Sequence, residues 1–514
     1  MTRDFHAGKL TWLEKLWPIK RHELKKIIPL LLLKFLASII YTILICLKDT
    51  FVVTADCSGA EVIPVLKGWV VFPLSVLCVI AYTKLSNHFK RSTLFYSLIS
   101  IFLLLITIHA FILYPNLDSL SPYKSSDWLI QRFGSQYTHW ISVYRNWIHS
   151  VFFIIAELWG QIVIFILFWG FVNHICRMQE AKRTYTLLIA AGDLAAIIAA
   201  PISWHYAQKN IGQDFSVTLQ TLTLYILACG LLILGIYWWV NRNILSNTLY
   251  FNPSETKASL NQKTKLTLRQ SIKHIFSSKY LLSIAALVIG CALTINMVEV
   301  TYKANLELLC PTKEAYQAFT AKLTFILGIV ALVTVLILGG NVQRIFGWHF
   351  CAQITPITVG ITGALFFILC LLKNHIDPYC SLIGTSSLAV IVFFGAFQNL
   401  ASKVVKYSFF DSTKEMTYIP LDQESKVKGK AAIDMVGSRL GKSSSSWIQL
   451  ILIQIAGTGS IFSTTAYLLP ILLVVVFYWS RSVKYLNKEL LSKEGVTVSP
   501  KTPEKDLISE IVKA

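Results

Sequence analysis

Two cations three residues apart, Arg439 and Lys442, fall in the segment GSRLGKSSSSW, which runs on without a break into WIQLILIQIAG. On a helix they share one face. A cation in hydrocarbon costs about 2.5–3.5 kcal/mol on insertion scales, so the pair needs an anionic partner, a watery cavity or a place at the membrane rim. Snorkelling at a rim accounts for these two residues as simply as a site for a multiply charged anion does. Lysines crowd the approach to them, at Lys403, Lys406, Lys414, Lys426, Lys428 and Lys430.

Other ionisable residues interrupt or close apolar runs: Lys34, Lys48, Lys67, Glu157, Asp193, Glu299 and Lys322. Glu157, in FFIIAELWGQIVIF, has apolar flanks on both sides, and a lone carboxylate there must pair with a cation or hold a proton. Glu299, in NMVEVTYK, has Lys303 four residues on, a spacing that permits a local helical ion pair. Lys48 is followed by Asp49, and at a rim such a pair contributes at most about 1 kcal/mol. Lys34 lies early enough in its run to snorkel. GSRLGKS is not a phosphate-binding loop of the Walker type: Gly437 and Gly441 enclose three residues rather than four, after a polar loop rather than a strand. Neither HExxH nor GxSxG occurs, so no enzyme, cofactor or metal is expected. The ten cysteines lack ligand or redox spacing and read as small apolar packers.

The elements that must carry these residues are membrane helices. Of 514 residues, 54% are hydrophobic and 14% charged, far from the soluble average of about 25% charged. The mean hydropathy is +0.58. A net charge of +20 invites a nucleic-acid reading, but such a binder gathers its cations on a soluble domain, and no segment here is long enough to be one. Runs near the length needed to cross a bilayer lie at 27–47, 62–83, 93–115, 149–172, 184–206, 216–240, 280–302, 317–340, 348–372, 382–402, 434–456 and 461–480. The run at 434–456 is amphipathic. The first leads into KDTFVVT rather than a cleavage site, so it is expected to be retained. Loops on the side holding both termini carry 34 Lys and Arg, and the opposite loops carry 8. By the positive-inside rule both termini are cytoplasmic.

The long basic loop 241–279 divides the chain. Residues 1–26 are expected to be a cytoplasmic segment, 27–240 one six-helix half, 280–480 the other, and 481–514 a cytoplasmic tail. QEAKR after the fourth run and QESKV after the tenth stand at equivalent places, as parallel repeats would have them. The expected fold is therefore all-α: twelve transmembrane helices in a 6+6 pseudo-symmetric, major-facilitator-like transporter.

The series KDTFVVT, GAEVIP, AELWG, FWGFVNHI, EAKR, NMVEVTYK, PTKEAY, KYSFFD, KEMTYIPLDQESKVKGKAA and GSRLGKS resembles, in order, the non-mitochondrial ATP/ADP translocases of plastids and obligate intracellular bacteria. The resemblance implies exchange of host nucleotide for ADP across a cell inner membrane by a monomeric multi-pass carrier, with nucleotide and lipid as partners and no nucleic acid. It also implies that transport needs Lys48, Glu157, Glu299 and Lys442, with Arg439 beside them. The chain departs from the family pattern at Ile40 and Ile45, where Asn and Arg are usual, at Ser444 and Ser445, where Gly is usual, and at Asp193, where Asn is common. Losing a cation at Ile45 and gaining an anion at Asp193 would suit a less negative substrate, so NAD/ADP exchange stands beside ATP/ADP exchange. Proton-coupled nucleotide uptake through Glu157 or Asp193 is a further alternative, and a membrane enzyme or lipid flippase with a basic cavity is a reading from another class.

If both termini are cytoplasmic, single cysteines placed in 116–148 of a cysteine-free variant will react with an impermeant maleimide in intact cells, and those in 241–279 will not. The reverse pattern would refute the topology.

Overall fold

The computed structural model describes residues 23–493 except 177, 246–277, 338–340, 383, 422–432 and 434–436. In hydrocarbon a backbone can satisfy its polar groups only within helices or a closed barrel, and the Leu, Ile, Val and Phe runs of this chain fold as helices. In order these are α1 (Leu24–Val53), α2 (Val62–His88), α3 (Arg91–Leu113), α4 (Trp147–Ile175), α5 (Met178–Lys209) and α6 (Phe215–Asn243). There follow α7 (Lys279–Leu309), α8 (Lys313–Ile337), α9 (Gly347–Leu371), α10 (Ser387–Thr417), α11 (Ser438–Ala456) and α12 (Ile461–Ser492). Among the described residues, eleven helices hold a stretch long and apolar enough to cross a membrane. The exception is α11, at the place of the amphipathic run 434–456. It turns Gly441, Ser443, Ser445, Ser446 and Gln449 inward, so its buried face is polar and its hydropathy low.

Two helices outrun the apolar stretches that announce them. α7 continues to Leu309 and carries Lys303 inside it, and α10 continues to Thr417 and carries Lys403, Lys406 and Lys414. Lys303 and Lys403 are thus helical rather than loop residues. Hydropathy stops at the first cation, whereas the helices go on, with Lys303 and Lys403 meeting Glu299 and Lys414 meeting Glu415. α12 likewise extends past 480. QESKV lies outside the described residues; in QEAKR, Glu180 pairs with Lys26 at 2.7 Å.

Within the first half α1 packs against α4, α5 and α6; within the second α7 packs against α10, α11 and α12, and α9 against α10 and α12. Across the halves the main seams are α5 with α8 and α2 with α11. An apolar cluster bridges the halves, with Val52, Val62 and Ile63 on one side and Met297, Val298 and Ile461 on the other. At the end of the bundle formed by 54–61, 114–146, 310–312 and 457–460 the halves are stitched together. Ile461 N–H donates to Glu61 Oε1 at 3.0 Å, Ala60 N–H to Glu307 Oε2 at 3.3 Å, and Lys313 Nζ to Tyr114 Oη at 3.2 Å. This closed end also holds Gly459, whose φ of 71° suits glycine and which lies against the Ser135 carbonyl.

The helices widen where ionisable residues sit. Lys67 lies in a π-helical turn at Leu66–Val71, Glu157 just before one at Gly160–Phe168, and Lys403 just before one at Lys406–Phe410. Such turns occur often at functional sites. In α2 the cause is local: Pro73 has no N–H to give to the preceding turn.

Gly441 lets α11 approach α7, since a Cβ there would stand 2.7 Å from the Ile289 carbonyl oxygen. Backbone cannot move aside as a side-chain tip can. Gly441→Val is expected to lower stability by about 1–3 kcal/mol through overpacking, read as a lower thermal midpoint in detergent; an unchanged midpoint would mean that the α7–α11 contact is looser than described.

Candidate functional site

Where the halves face each other, a chain of buried and half-buried ion pairs links α1, α2, α4, α7 and α10. Lys48 and Asp49, consecutive on α1, pair at 2.9 Å, and Lys48 reaches Glu157 of α4 at 3.2 Å. Lys48 also lies 4.3 Å from the centre of the Phe153 ring, a cation–π contact. Asp49 uses its second oxygen to reach Lys303 of α7 at 2.9 Å, across the halves. Glu299, one turn before Lys303, receives Lys303 at 3.2 Å, Lys403 of α10 at 3.7 Å and Lys67 of α2 at 3.9 Å. Lys67 donates to Asn296 Oδ1 at 2.7 Å, and Asn296 Nδ2 donates to the Lys442 carbonyl at 3.3 Å. Asn296 therefore ties the cation of α2 to the backbone of α11.

Close packing sets this geometry. Gly160, which follows Glu157 and Trp159, lies against Tyr41, and a Cβ there would be 2.7 Å from its ring. α1 and α4 can thus approach closely enough for Lys48 to meet Glu157. Trp159 Nε1 donates to the Ala37 carbonyl at 3.2 Å and fixes the same seam.

Two small cavities flank the ion-pair chain. One, of about 10 Å³, is lined by Lys67, Phe72, Glu157, Arg439, Lys442 and Ser443. The other, of about 50 Å³, is lined by Ile45, Asp49, Glu299 and Lys303 together with Tyr302, Tyr316 and Thr320. Both are far below the several hundred Å³ of a ligand pocket, so the halves are drawn together over the site. Taken with the ion pairs, six cations (Lys48, Lys67, Lys303, Lys403, Arg439, Lys442) meet three carboxylates (Asp49, Glu157, Glu299). The arrangement suits a multiply charged anion.

Lys48, Glu157 and Glu299 thus lie in one network, with Lys442 and Arg439 on the cavity beside it and Ile45 on the other cavity. Asp193 lies apart: its carbonyl borders Gly328 of α8, the neighbouring Gly192 touches Lys34, and its Oδ2 is buried without a hydrogen-bond partner. Lys34 is buried rather than snorkelling, 5.8 Å from the Phe168 ring centre. The Lys48–Asp49 pair is no rim pair, both side chains being about 5% exposed or less. The local Glu299–Lys303 pair exists but is embedded in a larger set. Lys67, Lys303 and Lys403 are the members that sequence reasoning did not select for the site. The signal for Lys67 was a cation between Pro64 and Pro73 in an apolar run; for Lys303 it was the spacing from Glu299, and for Lys403 only its nearness to a run's end.

The model of the TLC ATP/ADP transporter family matches residues 3–490. The chain belongs to this family. Relatives in the TLC family include ADP,ATP carrier protein 1 of Chlamydia muridarum (strain MoPn / Nigg), 41% identical over 482 residues and covering 93% of this chain and 90% of that protein. Another is the chloroplastic ADP,ATP carrier protein 1 of Arabidopsis thaliana, 38% identical over 483 residues, covering 93% and 76%. ADP,ATP carrier protein 1 of Rickettsia typhi (strain ATCC VR-144 / Wilmington) is 36% identical over 477 residues, covering 92% and 95%. Among solved structures, a bacterial homologue of the iron transporter ferroportin in an inward-facing state aligns with a TM-score of 0.56 at 13% identity, covering 91% of this chain and 98% of that one. The nucleoside transporter NupG aligns at 0.53 and 11%, covering 90% and 98%. At such identity these likenesses speak for the fold alone: this TLC transporter is a multi-pass protein of major-facilitator-like architecture.

The Asp49–Lys303 contact lends itself to a double-mutant cycle. Breaking a buried pair by removing one partner costs about 3–5 kcal/mol, so Asp49→Asn and Lys303→Met should each destabilise strongly and the double variant much less than their sum. Denaturation in detergent measures this, and additive losses would mean that the two groups do not depend on each other.

Proposed function

We propose that the protein is a nucleotide antiporter of the ATP/ADP type, importing ATP against ADP. In this reading it works as a monomer in a cell inner membrane, with both termini cytoplasmic and the closed end outside. The observation that carries this reading is the excess of cations over carboxylates between the two halves. Nucleoside di- and triphosphates carry several negative charges and match that excess; their names also occur in those of the relatives.

The same ion pairs give a reason for exchange. Asp49–Lys303 and Lys67–Glu299 join the halves, and parting them in an empty carrier leaves Lys67 without its carboxylate and Asp49 and Lys303 with only the partners on their own helices, which is costly in a low-dielectric interior. A polyphosphate between the halves gives Lys67, Arg439 and Lys442 a new partner, and offsets that cost only while it is bound. Reorientation then proceeds with cargo in place, in either direction, and a ligand shifts the equilibrium by its differential affinity for the two states. Glu157 and Glu299 reclaim the lysines as cargo leaves, which keeps the anion from being trapped. In this reading the cargo leaves chemically unchanged.

Ile45 supports a second reading, NAD/ADP exchange. It lines the cavity beside Asp49 and Glu299 without adding a charge where the family usually has arginine, which favours a ligand with fewer charges.

Proteoliposomes preloaded with labelled ADP test both. External ATP should release ADP, buffer alone should not, and a protonophore should change nothing. Lys442→Ala should abolish release while inserting normally. Release into buffer, or a protonophore block, would contradict antiport. An added cation helps the more highly charged ligand more, since charges about 4–8 Å apart attract by about 2–4 kcal/mol at an effective dielectric near 20. Ile45→Arg should therefore raise the preference for ATP over NAD about tenfold, about 1.4 kcal/mol, and an unchanged ratio in an active variant would remove Ile45 from substrate choice.

A further inference from the structure

The two cavities differ in charge and in unused hydrogen-bonding capacity. The smaller one, between α2, α4 and α11, brings Lys67, Arg439 and Lys442 together with the single carboxylate of Glu157. The larger one balances Lys303 and Lys403 against Asp49 and Glu299. Three hydroxyls on its wall, Tyr302 Oη, Tyr316 Oη and Thr320 Oγ1, are buried with no hydrogen-bond partner. Tyr302 and Tyr316 are 3% and 0% exposed. A buried hydroxyl without a partner forfeits the hydrogen bonds it makes in water, and three around one cavity call for an occupant that can donate and accept.

We infer that the substrate site is bipartite: phosphates occupy the cation-rich lobe at Lys67, Arg439 and Lys442, and the ribose hydroxyls occupy the charge-balanced lobe at Tyr302, Tyr316 and Thr320. The inference rests on the nucleotide reading above and adds the orientation of the ligand and the groups that read its sugar. The charges decide the orientation. A polyphosphate gains more from three cations facing one carboxylate than from two facing two, and a vicinal diol suits the balanced lobe, because its O–H groups donate to carboxylates and its oxygens accept from hydroxyls and ammonium groups. Carboxylate recognition of a ribose hydroxyl is a recurring solution in nucleotide sites. Ile45 lines this lobe too, so an arginine there would act on the phosphates as a charge from the sugar side.

The test is competition against labelled ADP in proteoliposome exchange, with ATP, 2′,3′-dideoxy-ATP and inorganic tripolyphosphate as competitors. With the wild type, dideoxy-ATP should compete about tenfold less well than ATP, as expected for two lost hydrogen bonds. The Tyr316→Phe/Thr320→Val double variant should weaken ATP by a similar factor, bring it level with dideoxy-ATP, and leave tripolyphosphate unchanged. Equal weakening of ATP and tripolyphosphate, or no weakening of either, would overturn the bipartite site. Should the double variant fail to fold, the wild-type comparison stands alone: equal competition by ATP and dideoxy-ATP overturns the sugar lobe. A wild type that exchanges no nucleotide sinks the transport reading and this inference with it, whereas nucleotide exchange blind to the sugar sinks this inference only.

Discussion

Ammonium groups cannot stay unmatched in a low-dielectric interior, and the contact between the two halves of this protein is organised by that constraint. Lys48, Lys67, Lys303 and Lys403 come from four helices and meet on Asp49, Glu157 and Glu299. The carboxylates are too few for the cations around them once Arg439 and Lys442 are included. Complete neutralisation would make a rigid structural core. A bare cationic cavity would bind a polyphosphate and keep it. Partial neutralisation by groups that can change partners gives a site that attracts an anion and also releases it.

The closed end adds the mechanical half of that argument. Neutral backbone donors and single carboxylates join the halves there, at Glu61 with Ile461 and at Glu307 with Ala60. Each such hydrogen bond contributes about 0.5–1.5 kcal/mol, or somewhat more with a charged acceptor, so these contacts hold the end shut without locking it. The larger energies lie in the central ion pairs. In the exchange proposed above, control of opening would therefore belong to the residues that also meet the cargo.

Much of this was legible in the sequence, for physical reasons that differ from element to element. The apolar runs showed the spans because hydrocarbon leaves the backbone few options, and α11 was the weakest because its inward face is serine, glycine and glutamine. Glu157 was legible since nothing near it in sequence could neutralise it; Lys442 and Arg439 were legible by their spacing. Lys403 was not, because a cation at the end of an apolar run looks the same whether the helix stops or continues, and only Glu299, distant in sequence, decides between the two; for Lys303 the spacing from Glu299 was legible, but its contact with Asp49 across the halves was not. Lys34 and Asp193 gave the opposite result: both stood out as ionisable residues in apolar runs, Lys34 as one able to snorkel, yet Lys34 is buried against Gly192 and Asp193 borders α8, apart from the central network. The π-helical turns beside Lys67, Glu157 and Lys403 leave no clear mark in composition apart from Pro73.

The central claim is that substrate phosphates replace carboxylates as partners of the inter-half lysines. A structure of the protein with ADP bound, by electron microscopy in nanodiscs, tests it most directly. The account predicts phosphate oxygens within hydrogen-bonding distance of Lys67, Arg439 and Lys442, with Lys67 withdrawn from Glu299. ADP bound elsewhere, or bound with the Lys67–Glu299 and Asp49–Lys303 contacts unchanged and no phosphate at these cations, would contradict it.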